Sequence, residues 1–130
     1  MSLTIKAVQT NTRTAQITLS GRLDTQTVAD FDKQVQSFIT SGAKIIILDM
    51  ASLEMITSAG VGVIMKTQTT LTKRAGEMMM LNMQPHIKKV FEIVRLLPAL
   101  TVFENVREMD NYLIKIQERM QEEGSFDSTQ

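Results

Sequence analysis

Lys44-Ile-Ile-Ile-Leu-Asp-Met-Ala-Ser-Leu-Glu-Met-Ile-Thr-Ser-Ala-Gly-Val-Gly-Val-Ile-Met-Lys66 decides the architecture of this chain. It opens on a β-branched run, Ile45 to Ile47, followed by Leu48. Such a run fits a strand covered on both faces, the usual state in a parallel sheet. Asp49 ends the run with a polar group, and a short loop is expected to lead to Thr57-Ser58. Val61, Ile64, Met65 and Leu71 then recur at helical spacing, with Gln68 the one polar interruption of that face. The stretch reads strand, loop, helix, and Thr57 and Ser58 stand where the helix starts.

That position has a chemistry of its own. The first backbone N–H groups of a helix lack internal partners, and the helix dipole places partial positive charge there. A serine hydroxyl can cap such an end. A phosphoryl group on it would sit at the favourable end of the dipole. Phosphate at Ser58 is therefore expected to leave the helix intact and to change what the surface binds. From the residues alone Ser58 reads first as a plain cap or turn residue.

Outward from this stretch, Thr4 to Val8 and Ala15 to Ser20 alternate and flank the turn-like Asn11-Thr12, which predicts a β-hairpin. Gly21-Arg22-Leu23-Asp24 ends its second strand. Thr27-Val-Ala-Asp30 resembles a capping box. Val28, Phe31, Val35 and Phe38 then mark one helical face, and Gly42 is a fitting stop. The central helix should run from about Ser58 to Arg74, broken by Ala75-Gly76. Glu77 to Leu81 reads as a third parallel strand, so Met78 to Met80 are assigned to core packing. Pro85 suits the first position of a helix whose buried face is Ile87, Val90, Phe91 and Val94. Pro98 prevents its continuation. Thr101-Val-Phe103 is read as a short last strand. Val106, Met109, Leu113, Ile116 and Met120 define a final helix. Residues 1–121 form one domain on this reading, and 122–130 a polar, disordered tail. Strands alternating with helices predict an α/β fold, with a mixed, mostly parallel sheet of four to five strands and about four helices. Asp24 and the Asp49–Ser58 loop lie at the C-terminal edge of that sheet, where such folds place function.

Composition excludes several classes. At 130 residues and 43% hydrophobic the chain can build one ordinary core. Fourteen basic and fourteen acidic residues cancel, which gives no drive toward nucleic acid or an anionic membrane. There is no cysteine, hence no disulfide framework or thiolate chemistry. No apolar run approaches the ~18 residues of a membrane span, and no signal-peptide core opens the chain. The single histidine, His86, has no ligand cluster around it and is read as a solvated surface residue, so no metal is expected. Gly60-Val-Gly62 is neither a P-loop nor a dinucleotide fingerprint, and reads as close backbone packing at the helix start. Ser58 lacks a nucleophile-elbow context. No catalytic residue and no cofactor is assigned. Met55 and Ile56, in the expected loop beside Ser58, are read as an apolar pair exposed for partner contact.

Leu48-Asp-Met-Ala-Ser-Leu-Glu-Met-Ile-Thr-Ser-Ala-Gly-Val-Gly-Val63 resembles the signature of STAS domains, the domains of anti-sigma factor antagonists. Gly21-Arg-Leu-Asp24 and the strand ending at Leu81-Asn82, followed by a proline and a helix, match the family further. The resemblance spans about residues 3–120. It implies a free-standing, cytoplasmic antagonist and not an enzyme. When unphosphorylated, such a protein binds an anti-sigma factor that is also a serine kinase, and so releases the sigma factor. The kinase then phosphorylates a serine at the helix start, and a serine phosphatase restores it. Carried onto this chain, Ser58 is the acceptor, and Asp24, Thr57, Gly60 and Gly62 join Met55 and Ile56 in the partner-binding surface. Many antagonists carry Asp before the acceptor. Thr57 stands there instead, which removes a charge and adds a minor alternative acceptor.

A second reading is a STAS scaffold or adaptor, a subunit of a stressosome-like or lipid-transport complex in which the same surface packs constitutively. A nucleotide-binding or hydrolytic domain is a third, and the absent phosphate loop speaks against it. A homodimer is compatible with the apolar stripe of the final helix, which reads first as core packing.

Overall fold

The structure is a computed structural model and describes residues 2–96 and 106–127. The expected strand Thr101–Phe103 and the stop at Pro98 lie outside the described residues. The elements follow as β1 (Leu3–Gln9), β2 (Thr14–Leu23), α1 (Val28–Thr40), β3 (Ile45–Ile56), α2 (Ser58–Lys73), β4 (Glu77–Leu81), α3 (Pro85–Leu96) and α4 (Val106–Asp127). The sheet order is β1-β2-β3-β4, with β1 antiparallel to β2 and the other pairs parallel. The α/β class, the opening hairpin and the mixed sheet agree with the sequence reading.

Local chemistry explains most boundaries. Asn11 Oδ1 accepts the Arg13 N–H at 2.8 Å, closing the β1–β2 turn as an Asx turn. Gly42, at φ 103°, donates its N–H to the Ile39 carbonyl and ends α1 in the left-handed conformation that glycine adopts without strain. Pro85 opens α3 as expected.

The core lies on one face of the sheet. Ile17, Leu19, Ile46, Leu48 and Met78 pack there against Phe31, Val35 and Ile39 of α1, Val61, Ile64 and Leu71 of α2, Ile87 and Val90 of α3, and Met109 and Leu113 of α4. The sequence reading of β3 as covered on both faces is corrected. Ile45 and Ile47 point to the other face and are half-buried, and Val8, Met79 and Leu81 are exposed. Met79 is thus no core residue, because β4 is an edge strand and the helices cover only the opposite face. In α2 the buried face is Gly60, Val61, Ile64, Thr67 and Leu71, and Met65 is 40% exposed. Thr67 takes the inward position by donating its hydroxyl to the Val63 carbonyl at 2.8 Å. Gln68 never interrupts that face.

The largest departure is in β3. It does not end at Asp49 but continues to Ile56, with register shifts against β2 between Thr18 and Ser20 and between Gly21 and Arg22. β4 pairs with it only as far as Asp49. Beyond that point the free edge of β3 is satisfied by side chains. Gln84 Nε2 donates to the carbonyls of Ala51 (2.7 Å) and Leu53 (3.1 Å). Gln121 Nε2 donates to the Glu54 carbonyl at 2.8 Å, and His86 Nε2 lies 2.9 Å from that same oxygen. Gln117 accepts the Ile56 N–H at 2.9 Å and donates to the Ile56 carbonyl at 2.7 Å. Three glutamines and a histidine stand in for the missing strand, as the demand for paired backbone groups requires. His86 is therefore 5% exposed and not a solvated residue. Helix α4 runs past Glu122 to Asp127.

Candidate functional site

The site is built where β2 and β3 end together and α2 begins. Leu23 pairs with Ile56 in the last step of the sheet, and the Leu23 carbonyl accepts the Thr57 N–H at 3.1 Å. Thr57 is the N-cap residue, extended at φ −110° and ψ 175°, and its carbonyl accepts the first intrahelical bond from Val61 N–H at 3.1 Å. Its side chain makes no capping hydrogen bond. The hydroxyl is instead buried without a partner, in a residue 4% exposed. The hydroxyl of Thr57, the minor alternative acceptor of the sequence reading, is thus buried in this conformation.

Ser58 is the first helical residue and not the cap, as the sequence reading allowed. Its N–H donates at 3.0 Å to Oδ1 of Asp110, a carboxylate carried by α4. A carboxylate at a helix N-terminus meets both an orphan donor and the positive end of the dipole. The capping that Thr57 leaves undone is thus performed from another helix.

Gly60 and Gly62 part company. A Cβ on Gly60 would stand 2.9 Å from Ile56 Cγ1 and 2.9 Å from Leu23 Cγ, so the bare backbone lets α2 approach the strand ends. Around Gly62 a Cβ would meet nothing within 4 Å, and the residue is exposed. The packing explanation holds for Gly60 alone. Ser58, Gly62, Met65 and Thr69 recur at helical spacing on the outer side of α2. They make a strip of small side chains with one exposed methionine.

Met55 and Ile56 are corrected. They lie in β3 and not in a loop, at 3% and 0% exposure, and Ile56 joins the core. They support the site from beneath and offer no contact surface. Asp24 is half-buried in the turn before α1. Its Oδ1 accepts the N–H groups of Gln26 (2.9 Å) and Thr27 (3.2 Å), and its Oδ2 lies 4.0 Å from Arg22 Nε. Thr27 caps nothing with its hydroxyl and donates it to the Arg22 carbonyl at 2.9 Å. Asp24 therefore holds the β2–α1 turn.

Sequence reasoning missed Asp110, Gln117 and Gln121, which stand seven and four apart on one side of α4. The signal was a buried glutamine directly beside the apolar stripe of that helix. Among the described residues no group of three His, Asp or Glu side chains could hold a metal ion, and no helix is long and apolar enough to cross a membrane.

The STAS domain model matches residues 6–109. BtrV of Bordetella bronchiseptica, a candidate anti-sigma factor antagonist, is 28% identical over 75 residues, which are 58% of this chain and 65% of that protein. The chain thus spans somewhat under two thirds of that relative. Two solved structures of the anti-sigma factor antagonist SpoIIAA are similar at 26% identity. The unphosphorylated form superposes with a TM-score of 0.61 over 69% of this chain and 83% of that one. The phosphorylated form, from Bacillus, gives 0.62 over 72% and 85%.

Proposed function

This chain belongs to the STAS domain family, and we propose that it is an anti-sigma factor antagonist that works by partner switching in the cytoplasm. In its unphosphorylated form it binds an anti-sigma factor that is also a serine kinase. That kinase phosphorylates Ser58 and so ends the binding, and a serine phosphatase reverses the step. The fold is that of anti-sigma factor antagonists, and it resembles SpoIIAA in both its forms. The observation that carries the proposal is the place of Ser58 on the first turn of α2, at one end of the open strip through Gly62 and Met65. A dianion there is compatible with the helix and hostile to close docking, since it adds charge and a hydration shell at the contact. The protein's own role is recognition, with no reaction step of its own.

The test is a pull-down from the native cytosol with the parent chain and with Ser58→Asp, read by mass spectrometry with phosphosite mapping. A serine kinase retained by the parent and lost by the variant, with phosphate on Ser58, is the expected result. Equal recovery of other STAS proteins or of a transporter ATPase by both forms, with Ser58 unmodified, would instead establish a scaffold subunit.

A further inference from the structure

We propose that α4 is a latch closed by Asp110 on the first turn of α2, and that a phosphoryl group on Ser58 opens it. The proposal deepens the reading of Ser58 as the acceptor and rests on it. Two independent observations carry it. The α2 N-terminus receives a carboxylate from 52 residues away, through Ser58 N–H to Asp110 Oδ1. The residue that would ordinarily cap it, Thr57, leaves its hydroxyl buried and unpartnered. The anion position of this helix is thus occupied already, by a side chain carried on another helix.

Phosphorylation forms the Oγ–P bond of Ser58 as the γ-phosphoryl group leaves ATP. ADP departs, and the hydroxyl proton goes to the kinase's base or to water. Ser58 Oγ and Ser58 N share one Cα, so by ordinary bond lengths the phosphorus falls roughly 4–7 Å from Asp110 Oδ1. A group with about two negative charges then faces a carboxylate across the site both prefer. The phosphate is tethered to α2 and is the better acceptor for first-turn N–H groups. Asp110 is the partner free to leave.

What leaves with it is limited by the rest of the helix. Gln117, seven residues on, clamps Ile56 through both its N–H and its carbonyl, and Gln121 holds Glu54. The first turn of α4, up to Asp110, therefore lifts, while Leu113, fully buried in the core, and the Gln117–Gln121 end stay in place. Loss of partner binding at α2 is then accompanied by a new surface at α4, which tells the phosphorylated chain from the free one at a distance from Ser58.

The test places phosphoserine at position 58 by chemical synthesis or genetic encoding, so that no kinase is needed. Amide hydrogen exchange is then read across the chain, with circular dichroism to check folding. Exchange in residues 106–113 is expected to rise about tenfold or more, with α1 and residues 117–121 unchanged. In Asp110→Asn and in Asp110→Ser, phosphoserine should add little beyond each variant's own exchange, because the opposing charge is gone. Unchanged exchange at 106–113 in the phosphorylated parent overturns the latch. An equal phosphate effect with and without Asp110 overturns it as well. Neither outcome bears on the acceptor assignment, which phosphosite mapping decides separately.

Discussion

Replacing Gln117 by Leu keeps the side chain's bulk and removes its amide. Gln117 is 0% exposed, and its carboxamide serves both the N–H and the carbonyl of Ile56, with a further bond from Nε2 to Leu113 O at 3.1 Å. The Leu113 carbonyl can keep its helical partner. Ile56 has no such recourse from a neighbouring strand, because β4 ends opposite Asp49. A buried backbone group left unpaired costs about 1–3 kcal/mol, and two are stranded here. Relief from burying the glutamine amide offsets part of this, which leaves a loss of about 2–4 kcal/mol. Set against a total stability of about 5–15 kcal/mol, that is a large fraction. For a domain of this size it corresponds to a fall in Tm of roughly 10 °C. Urea unfolding followed by circular dichroism measures it, with the exposed neighbour substitution Glu118→Leu as the control, expected within about 0.5 kcal/mol of the parent. If Gln117→Leu matched that control, the carboxamide would not be standing in for a strand, and the account of how β3 extends would be wrong.

Thr57→Val replaces a buried, unpartnered hydroxyl with a methyl of the same shape. It should raise the unfolding free energy by about 1 kcal/mol and leave phosphorylation of Ser58 intact, as phosphosite mapping would show. Gly60→Ala must displace Ile56 and Leu23 and should cost about 1–3 kcal/mol in denaturant unfolding. Gly62→Ala meets nothing, so helix propensity should make it up to about 1 kcal/mol more stable. If the strip through Gly62 is the docking surface, that same methyl should weaken kinase recovery in the pull-down.

Most of the fold was legible because it rests on local pattern. The alternation of Ala15, Ile17 and Leu19, the helical spacing of Val61, Ile64 and Leu71, and the punctuation by Gly42, Gly76 and Pro85 each act within a few residues. The helix start at Thr57-Ser58 was legible for the same reason. What escaped is non-local. Nothing within Met50 to Ile56 says that a strand continues past the end of its neighbour, since the groups that satisfy it come from Gln84, His86, Gln117 and Gln121. His86 read as solvated because its cover is Gln121, 35 residues away. Met55 and Ile56 read as exposed because a polar-looking segment implied a loop. Met65 and Thr67 exchanged places because a threonine that bonds its own helix backbone can face inward.

The non-local contacts change the energetics of the candidate switch. Had the Thr57 hydroxyl capped α2, a phosphoryl group on Ser58 would act only on whatever docks outside. With Asp110 in that role, the charge acts on the protein itself. Two negative charges facing one at about 5 Å repel by about 2–7 kcal/mol, for effective dielectric constants between those of water and a protein surface. The hydrogen bond they oppose, between an N–H and a carboxylate, is worth about 1.5–3 kcal/mol. The repulsion therefore equals or exceeds what Asp110 contributes. It does not exceed the sum of that bond, the buried side chains of Met109 and Leu113 at about 1.5–3 kcal/mol each, and the Gln117 clamp. Complete release of α4 is thus too costly, and release of its first turn, which uncovers Met109 and leaves Leu113 in the core, is within reach. The same strand edge that makes Gln117 indispensable to stability fixes where that motion stops.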